Sequence, residues 1–491
     1  MNGPASPGRP KLSWSDLRGA RVGVWGLGRE GLASVRKLAS LGLEPVLVDD
    51  RPQTVAVGGL PVLTTGYGGL AALEKCDAVV KSPGISRYRP EVARLEERGV
   101  AVAGGLGLWL QETDPDRVLL ITGTKGKSTT ASIAGHLLND LGGRTLVGGN
   151  IGQPPYDPEV APVAGEAPWA YWVIEVSSYQ ATDLPSTTPV VAVTSLHPDH
   201  LDWHGGVDRY YRDKLSICTL PGADLTVANG DSELIRDRAG LLASRVEWVT
   251  ATDDPDATWM QPLSLIGRHS RRNALIAARS LRAMGIPGAT DDEALRAAAA
   301  GFVPLDHRLQ VTGTADGVTF VDDSLSTNVL PTLAALDAFG GRRVALIVGG
   351  HDRGIDYAPL AAGLRDRPAP TLVLTLPDSG ARIHAELDAV LASTPSEVAG
   401  VVDCADLDTA VARGFGWARP GGVVLLSPAA PSFGHFRDYR DRGEAFARAA
   451  ATCAPRRLRP PPALRAGYGH RLSLRTGLQP LVANWLKVLM A

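Results

Sequence analysis

From Arg21 onward, short runs of aliphatic and β-branched residues alternate with segments of helical period. This pattern restricts the chain to architectures in which parallel strands are joined by crossing helices. The first series reads RVGVW, a helix from about Gly31, PVLVDD and DAVVKSPG. A second begins at RVLLITGT (117–124), continues through YWVIEVSS (171–178) and VVAVTSL (190–196), and runs on to Ala-rich helices between about 270 and 300. A third follows Arg308, with GVTFVDDS, RVALIVGG, TLVLTLP and GGVVLLSPA as its strands. Three α/β blocks agree with a length of 491 residues, since domains commonly hold about 150 residues each. The expected division is 1–112, 113–308 and 309–454, followed by a tail, 455–491.

Charge and cysteine usage narrow the class. Lys plus Arg number 50 against 52 Asp plus Glu, and the tail holds six Arg and one Lys but no acid, so the remainder is acidic. A nucleic-acid partner recruited by overall charge is therefore not expected. The Pro/Arg-rich tail shows no helical or strand period and reads as a solvated extension, with contact to the acidic remainder or to anionic lipid as the alternative. The four cysteines lack C-x-x-C spacing, which argues against a zinc site or disulfide framework and fits a reducing compartment. No apolar run reaches the ~18 residues of a membrane span, and the N-terminal stretch lacks the apolar segment of a signal peptide. A cytoplasmic protein without membrane insertion is expected.

The strongest chemical signal is Gly123-Thr124-Lys125-Gly126-Lys127-Ser128-Thr129, between an apolar strand and a helix. Glycines let backbone N–H groups curl around phosphate oxygens, and the helix N-terminus favours anions. A lysine here can bridge β and γ phosphates, and Ser128 or Thr129 can hold Mg²⁺. The spacing is shorter than the usual G-x-x-x-x-G-K-[ST], so a Gly-rich turn is the competing reading. Glu175 ends a strand in EVSSYQ, where a carboxylate beside a phosphate loop can ligate a metal or else cap a helix. The run His197-Pro198-Asp199-His200-Leu201-Asp202-Trp203-His204 is dense in His and Asp, as either a metal site or a surface loop would be. Lys214 lies fourteen residues after His200.

Taken together, GTKGKSTT, GGNIG (148–152), EVSSYQ, DHLD, HR (307–308), DDSLSTN (322–328) and LSPAAPSF (426–433) resemble the Mur ligase family, in family order and across about residues 21–446. The resemblance implies three α/β domains: a Rossmann-like UDP-binding domain, a central P-loop ATPase domain and a C-terminal Rossmann-like domain. It also implies a ligase of peptidoglycan synthesis, acting as a monomer, that uses ATP and two Mg²⁺ ions to join glutamate to UDP-N-acetylmuramoyl-L-alanine through an acyl phosphate. Lys127 would contact the γ phosphate. Ser128 and Glu175 would hold one Mg²⁺, and His200 with a carbamylated Lys214 would serve the other. Asn150 would sit close to the nucleotide, with Ser177 at the substrate. Asn273 would reach the adenine, while Arg308 and Asp323 would close on the nucleotide. Ser270 stands where the family usually has Asn.

In the first block, GLGREG (26–31) could by itself be a dinucleotide fingerprint. By resemblance, Gly28, Arg29 and Glu30 would instead meet the UDP diphosphate. Asp49, Asp50 and Arg51 would lie near the uracil, and Ser82 and Gly84 would form a second phosphate-approaching turn. In the third block Thr327, Arg353, Ser432 and Tyr439 would meet the amino acid, since two carboxylates need two anchors. Leu325 stands where most D-glutamate ligases place a lysine, and DDSLSTN with WGLGREG looks like the branch that adds L-glutamate. That substrate is favoured over D-glutamate. Folylpolyglutamate synthase, a related enzyme, lacks a UDP-binding block, whereas about 110 residues of α/β pattern precede this P-loop. A P-loop nucleotide switch is the alternative from another class.

Overall fold

The computed structural model describes residues 9–391 and 396–453; the tail of 455–491 lies outside them. The first sheet is built from β1 (Val22–Trp25), β2 (Val46–Asp49), β3 (Val62–Thr64), β4 (Ala78–Lys81) and β5 (Ala101–Gly104). Its order is β3-β2-β1-β4-β5, with every pairing parallel. β1 and β4 are buried along their whole length, as strands covered by helices on both faces must be.

The second sheet comprises β6 (Val118–Thr122), β7 (Thr145–Gly149), β8 (Tyr171–Glu175), β9 (Val190–Val193), β10 (Leu225–Asn229) and β11 (Arg245–Val249). Its order is β11-β10-β9-β6-β8-β7, again wholly parallel. Strand order reverses at β6, which lies between β8 and β9. A crevice opens beyond the strand ends at such a reversal, and there the helix Lys127–Leu141 begins. One apolar cluster joins the two sheets, running from Val22 and Val24 through Val118, Leu120 and Ile174 to Tyr210. The first sheet is thereby packed onto the second.

The third sheet holds β12 (Gln310–Ala315), β13 (Val318–Asp322), β14 (Val344–Val348), β15 (Thr371–Thr375), β16 (Val398–Asp403) and β17 (Val423–Leu426), in the order β12-β13-β17-β14-β15-β16. All its pairings are parallel except β12 with β13. That hairpin departs from the expected parallel series. Asp316 and Gly317 have φ of 48° and 79°, and two positive φ values in a two-residue loop match the twist of antiparallel strands. β3, β5, β7, β10, β11 and β16 were also missing from the sequence reading. β3, β11 and β16 carry partly exposed faces, so they lack the unbroken apolar run that marks a central strand. Among the described residues no helix is long and apolar enough to cross a membrane.

Candidate functional site

The loop after β6 is fixed from beneath by the end of β9. Thr124 N–H donates to the Ser195 carbonyl (2.8 Å) and Lys125 N–H donates to Ser195 Oγ (2.8 Å), while Thr194 Oγ1 donates to the Lys125 carbonyl (2.6 Å). Gly123 has φ 139°, and a Cβ built on it would lie 2.2 Å from Thr194 Oγ1, so only glycine fits this approach. Gly126 (φ 87°) caps the helix, with the buried Asn273 side chain alongside it. The Lys127 amine folds back onto the Gly123 and Thr124 carbonyls (2.9 and 3.2 Å) and lies 4.0 Å from Glu175. Burial lowers its pKa. A buried cation that turns to its own loop carbonyls can exchange them for anionic oxygens.

Glu175 is buried at the end of β8. Ser128 Oγ donates to its Oε2 (2.7 Å) and Asn150 Nδ2 to its Oε1 (2.6 Å). Lys125, on the open side of the loop, pairs with Asp199 at 3.6 Å. His200 has φ 52°, and its half-exposed ring lies 5.0 Å from that of Tyr179. Desolvation lowers its pKa, which favours the neutral ring, the form whose nitrogen can act as a ligand. Lys214, in the helix Val207–Leu215, is buried and donates to the Gly123 carbonyl at 3.1 Å. Desolvation, reinforced by Lys127, pushes its pKa well below the usual lysine range.

The first sheet contributes a cleft of about 370 Å³ lined by Gly28, Arg29, Glu30, Asp49, Ser82 and Gly84, among others. Gly31 lets the helix Arg29–Ser40 approach the preceding turn, since a Cβ there would lie 1.9 Å from the Gly26 carbonyl. Asp49 is occupied in shaping the cleft: Leu27 N–H donates to its Oδ2 (2.7 Å) and Arg51 N–H to its Oδ1 (3.0 Å). Asp50 accepts from Thr65 and Arg89. Arg29 crosses to the second sheet and donates to the Asn150 carbonyl (2.8 Å). Glu30 accepts from Gln180 Nε2 (2.9 Å), and desolvation raises its carboxyl to about 7. Gln180 also forms a capping box with Ser177, whose Oγ accepts from the Gln180 N–H (3.1 Å). Deeper in the junction, the buried Lys81 amine meets Asp183 at 2.6 Å, and Arg87 meets the same carboxylate at 3.0 Å.

A Mur ligase MurD-like N-terminal domain matches residues 20–104, a Mur ligase middle domain 121–261, and a Mur ligase glutamate ligase domain 307–430. A UDP-N-acetylmuramoyl-L-alanine--L-glutamate ligase of a Micromonospora species is 41% identical over 461 residues, covering 90% of this chain and 98% of that protein. The chain belongs to the Mur ligase family. It is an acid–amino-acid ligase of peptidoglycan synthesis. A protein of the same name from Xanthomonas euvesicatoria is 39% identical over 89% of this chain and 96% of its own. In fold, the Mur ligase resembles the crystal structure of UDP-N-acetylmuramate-alanine ligase from Thermotoga maritima. The TM-score is 0.50 at 17% identity, covering 88% of this chain and 99% of that one.

In this Mur ligase the link into the third sheet reaches the same region at Arg308. Arg308 lies close enough to Lys127 and Asp323 to act on both electrostatically. Asp323 accepts from Ser326, from Ser427 Oγ (2.8 Å) and from the Leu309 N–H (3.2 Å), and desolvation raises its carboxyl to about 6. Ser432 is buried, Thr327 and Leu325 are half-buried, and Arg353 is exposed. Tyr439 opens the helix Tyr439–Cys453, with its ring edge-on to His307. The fold thus gathers Lys127, Ser128, Glu175, Asn150 and Lys214 around one loop, with Arg29 and Glu30 reaching in from the cleft. Among the described residues no three His, Cys, Asp or Glu side chains converge as a metal cage, so any cation at Glu175 must share Ser128 and ligand oxygens. The sequence reading missed Thr194 and Ser195, a polar pair ending the buried run VVAV, where a strand-end position was the available signal. The run ending in His204 was read as a metal site or a surface loop, but the His204 ring is buried and pairs with Asp213 at 2.6 Å, a partner the sequence reading did not name.

Proposed function

We propose that this Mur ligase joins L-glutamate to UDP-N-acetylmuramoyl-L-alanine in the cytoplasm, acting as a monomer, with ATP activating the carboxylate as an acyl phosphate. The observation that carries this is the convergence of Lys127, Ser128, Glu175 and Lys214 on the Gly123–Gly126 cradle, which a Cβ would fill. The domains divide at about residues 112 and 308. A carboxylate is a poor electrophile until one oxygen becomes a leaving group. Phosphoryl transfer between two anions needs cations to neutralise the developing charge. Lys127 supplies one at the γ phosphate. Ser128 and Glu175 would hold one Mg²⁺, and His200 with Lys214 the second, which together supply Lewis-acid charge neutralisation at the phosphoryl oxygens. Hard cations prefer oxygen donors, so Lys214 suits this role as a carbamate. Burial, which lowers its pKa, favours the neutral amine, the form that adds to CO₂.

The uridine diphosphate of the acid occupies the first-sheet cleft, between the Gly28–Glu30 turn and Ser82–Gly84, with the uracil towards Asp49, Asp50 and Arg51. Asn150 and Ser177 face the acid from the second sheet. Asn273, Arg308 and Asp323 border the nucleotide. Thr327, Arg353, Ser432 and Tyr439 hold glutamate so that its amine reaches the acyl phosphate. The L enantiomer is supported by Leu325 in place of a lysine and by the relatives named for L-glutamate. Inverting the α-carbon with the amine on target moves at least one carboxylate, so exchanging a nearby cation for an apolar group alters the permitted pose. Mass spectrometry of the product formed from ATP, the UDP-linked acid and each glutamate enantiomer tests the reaction. Steady-state rates should favour L-glutamate, with the preference falling in Leu325→Lys. A kcat/KM favouring D-glutamate would overturn the stereochemical reading.

A further inference from the structure

The cleft loop of the first sheet continues past its lining residues Ser82–Ile85 and makes contacts the reaction has not yet used. Trp203 Nε1 donates to the Gly84 carbonyl (3.2 Å), and the Tyr88 hydroxyl donates to Asp213 Oδ1 (2.5 Å). The other oxygen of Asp213 meets His204 Nδ1 (2.6 Å), and His204 Nε2 meets Ser178 Oγ (2.9 Å). His204 is fully buried, so both ring nitrogens need their partners and the ring is locked in place. Two members of this series sit beside the catalytic groups. Asp213 precedes Lys214 in the helix Val207–Leu215, and Ser178 follows Glu175 by three residues.

We propose that Tyr88, Asp213 and His204 act as a positioning relay. It registers the loop that holds the UDP-linked acid against the helix and strand end that carry Lys214 and Glu175. This rests on the function proposed above. The relay touches neither nucleotide nor acid; it acts through Lys214 and Glu175. Three hydrogen bonds in series, two of them to the Asp213 carboxylate and joined through a buried ring, make a stiff connection. The acid is held by one sheet and its activating groups by another, so the reacting carboxylate and the γ phosphate meet only if the two sheets keep register. Displacement by about 1 Å can cost roughly 100-fold in rate. When the amine is then presented to a poorly seated acyl phosphate, water competes for it.

The test is Tyr88→Phe, which removes one hydroxyl from a residue that is 45% exposed. Asp213→Asn serves as a second variant, keeping an acceptor for Tyr88 while changing what faces His204. The expected result is a kcat lowered about tenfold, with KM for ATP within about twofold of the parent and the melting temperature little changed. The ratio of ADP released to ligated product should rise from about one to about two or more, a readout that loss of packing alone would not move. A folded Tyr88→Phe protein with parental kcat and a ratio of one overturns the relay, as does a variant that loses only thermal stability. If the parent itself forms no ligated product, the underlying function fails and the relay with it, a result distinct from a productive parent with an indifferent variant.

Discussion

Removing the side chain of Asn150 tests how Glu175 is held. Its Nδ2 donates to Glu175 Oε1 at 2.6 Å, a hydrogen bond to a charged acceptor, and such bonds contribute about 1.5–3 kcal/mol. Part of the carboxylate's restraint survives in Asn150→Ala, because Ser128 Oγ still holds Oε2 at 2.7 Å and Lys127 stands 4.0 Å away. The backbone at 150 is also retained, since its N–H donates to the Glu175 carbonyl (2.9 Å) and its carbonyl accepts from Arg29. The lower part of the range therefore applies, about 1.5–2 kcal/mol, or roughly 10- to 30-fold in an equilibrium constant. Partners of metal ligands commonly cost about 10- to 100-fold in affinity when removed. Half-saturation of ligation by Mg²⁺ should rise by roughly that factor, and calorimetric titration of a non-hydrolysable ATP analogue should weaken only when Mg²⁺ is present. A Mg²⁺ half-saturation within twofold of the parent would refute the reasoning and move the cation away from Glu175.

Two more expectations follow from buried charges. Lys214→Ala should lose most activity, and formate or acetate should partly restore it by supplying an oxygen ligand in the space left; undiminished activity would remove Lys214 from the site. At the junction of the first two sheets, Asp183→Asn leaves both Lys81 and Arg87 without their shared anion and should destabilise the protein by about 3–5 kcal/mol. Lys81→Met leaves Asp183 paired with Arg87 and should cost distinctly less, so thermal unfolding that ranks the two the other way contradicts this account.

The central strands were legible because burial on both faces leaves a continuous apolar run, as in VLLIT of β6 and VVAV of β9. Edge strands lacked that signature, and the Asp316-Gly317 turn, which a two-residue hairpin reading could have caught, was passed over. Residues within contiguous motifs, such as Lys127 and Ser128, could be assigned as a group because strand, loop and helix follow one another in the chain. Contacts that depend on how one sheet sits on another could not. Arg29 at Asn150, Glu30 at Gln180 and Tyr88 at Asp213 span separations of 121, 150 and 125 residues, and no local pattern encodes them. Sequence also assigned Asp49 to ligand binding without showing that both its oxygens already take backbone N–H groups.

The link between the second and third sheets carries two strained residues. His307 and Leu309, on either side of Arg308, have φ of 62° and 47°, a conformation costing side chains of this kind about 1–3 kcal/mol each. Neighbouring contacts enforce it: His307 Nδ1 meets Asp322 at 2.6 Å, and the Leu309 N–H donates to Asp323 at 3.2 Å. Glycine or asparagine at 309 would relax the chain and harden the protein against heat, while loosening the grip on the arginine between them. A laboratory lineage selected only for thermal endurance would accumulate such replacements and drift towards a sturdy, sluggish ligase. On the role proposed for Arg308, one selected for growth of the cell wall would keep the strained pair, and the tension at this link would be a cost that natural selection has reason to maintain.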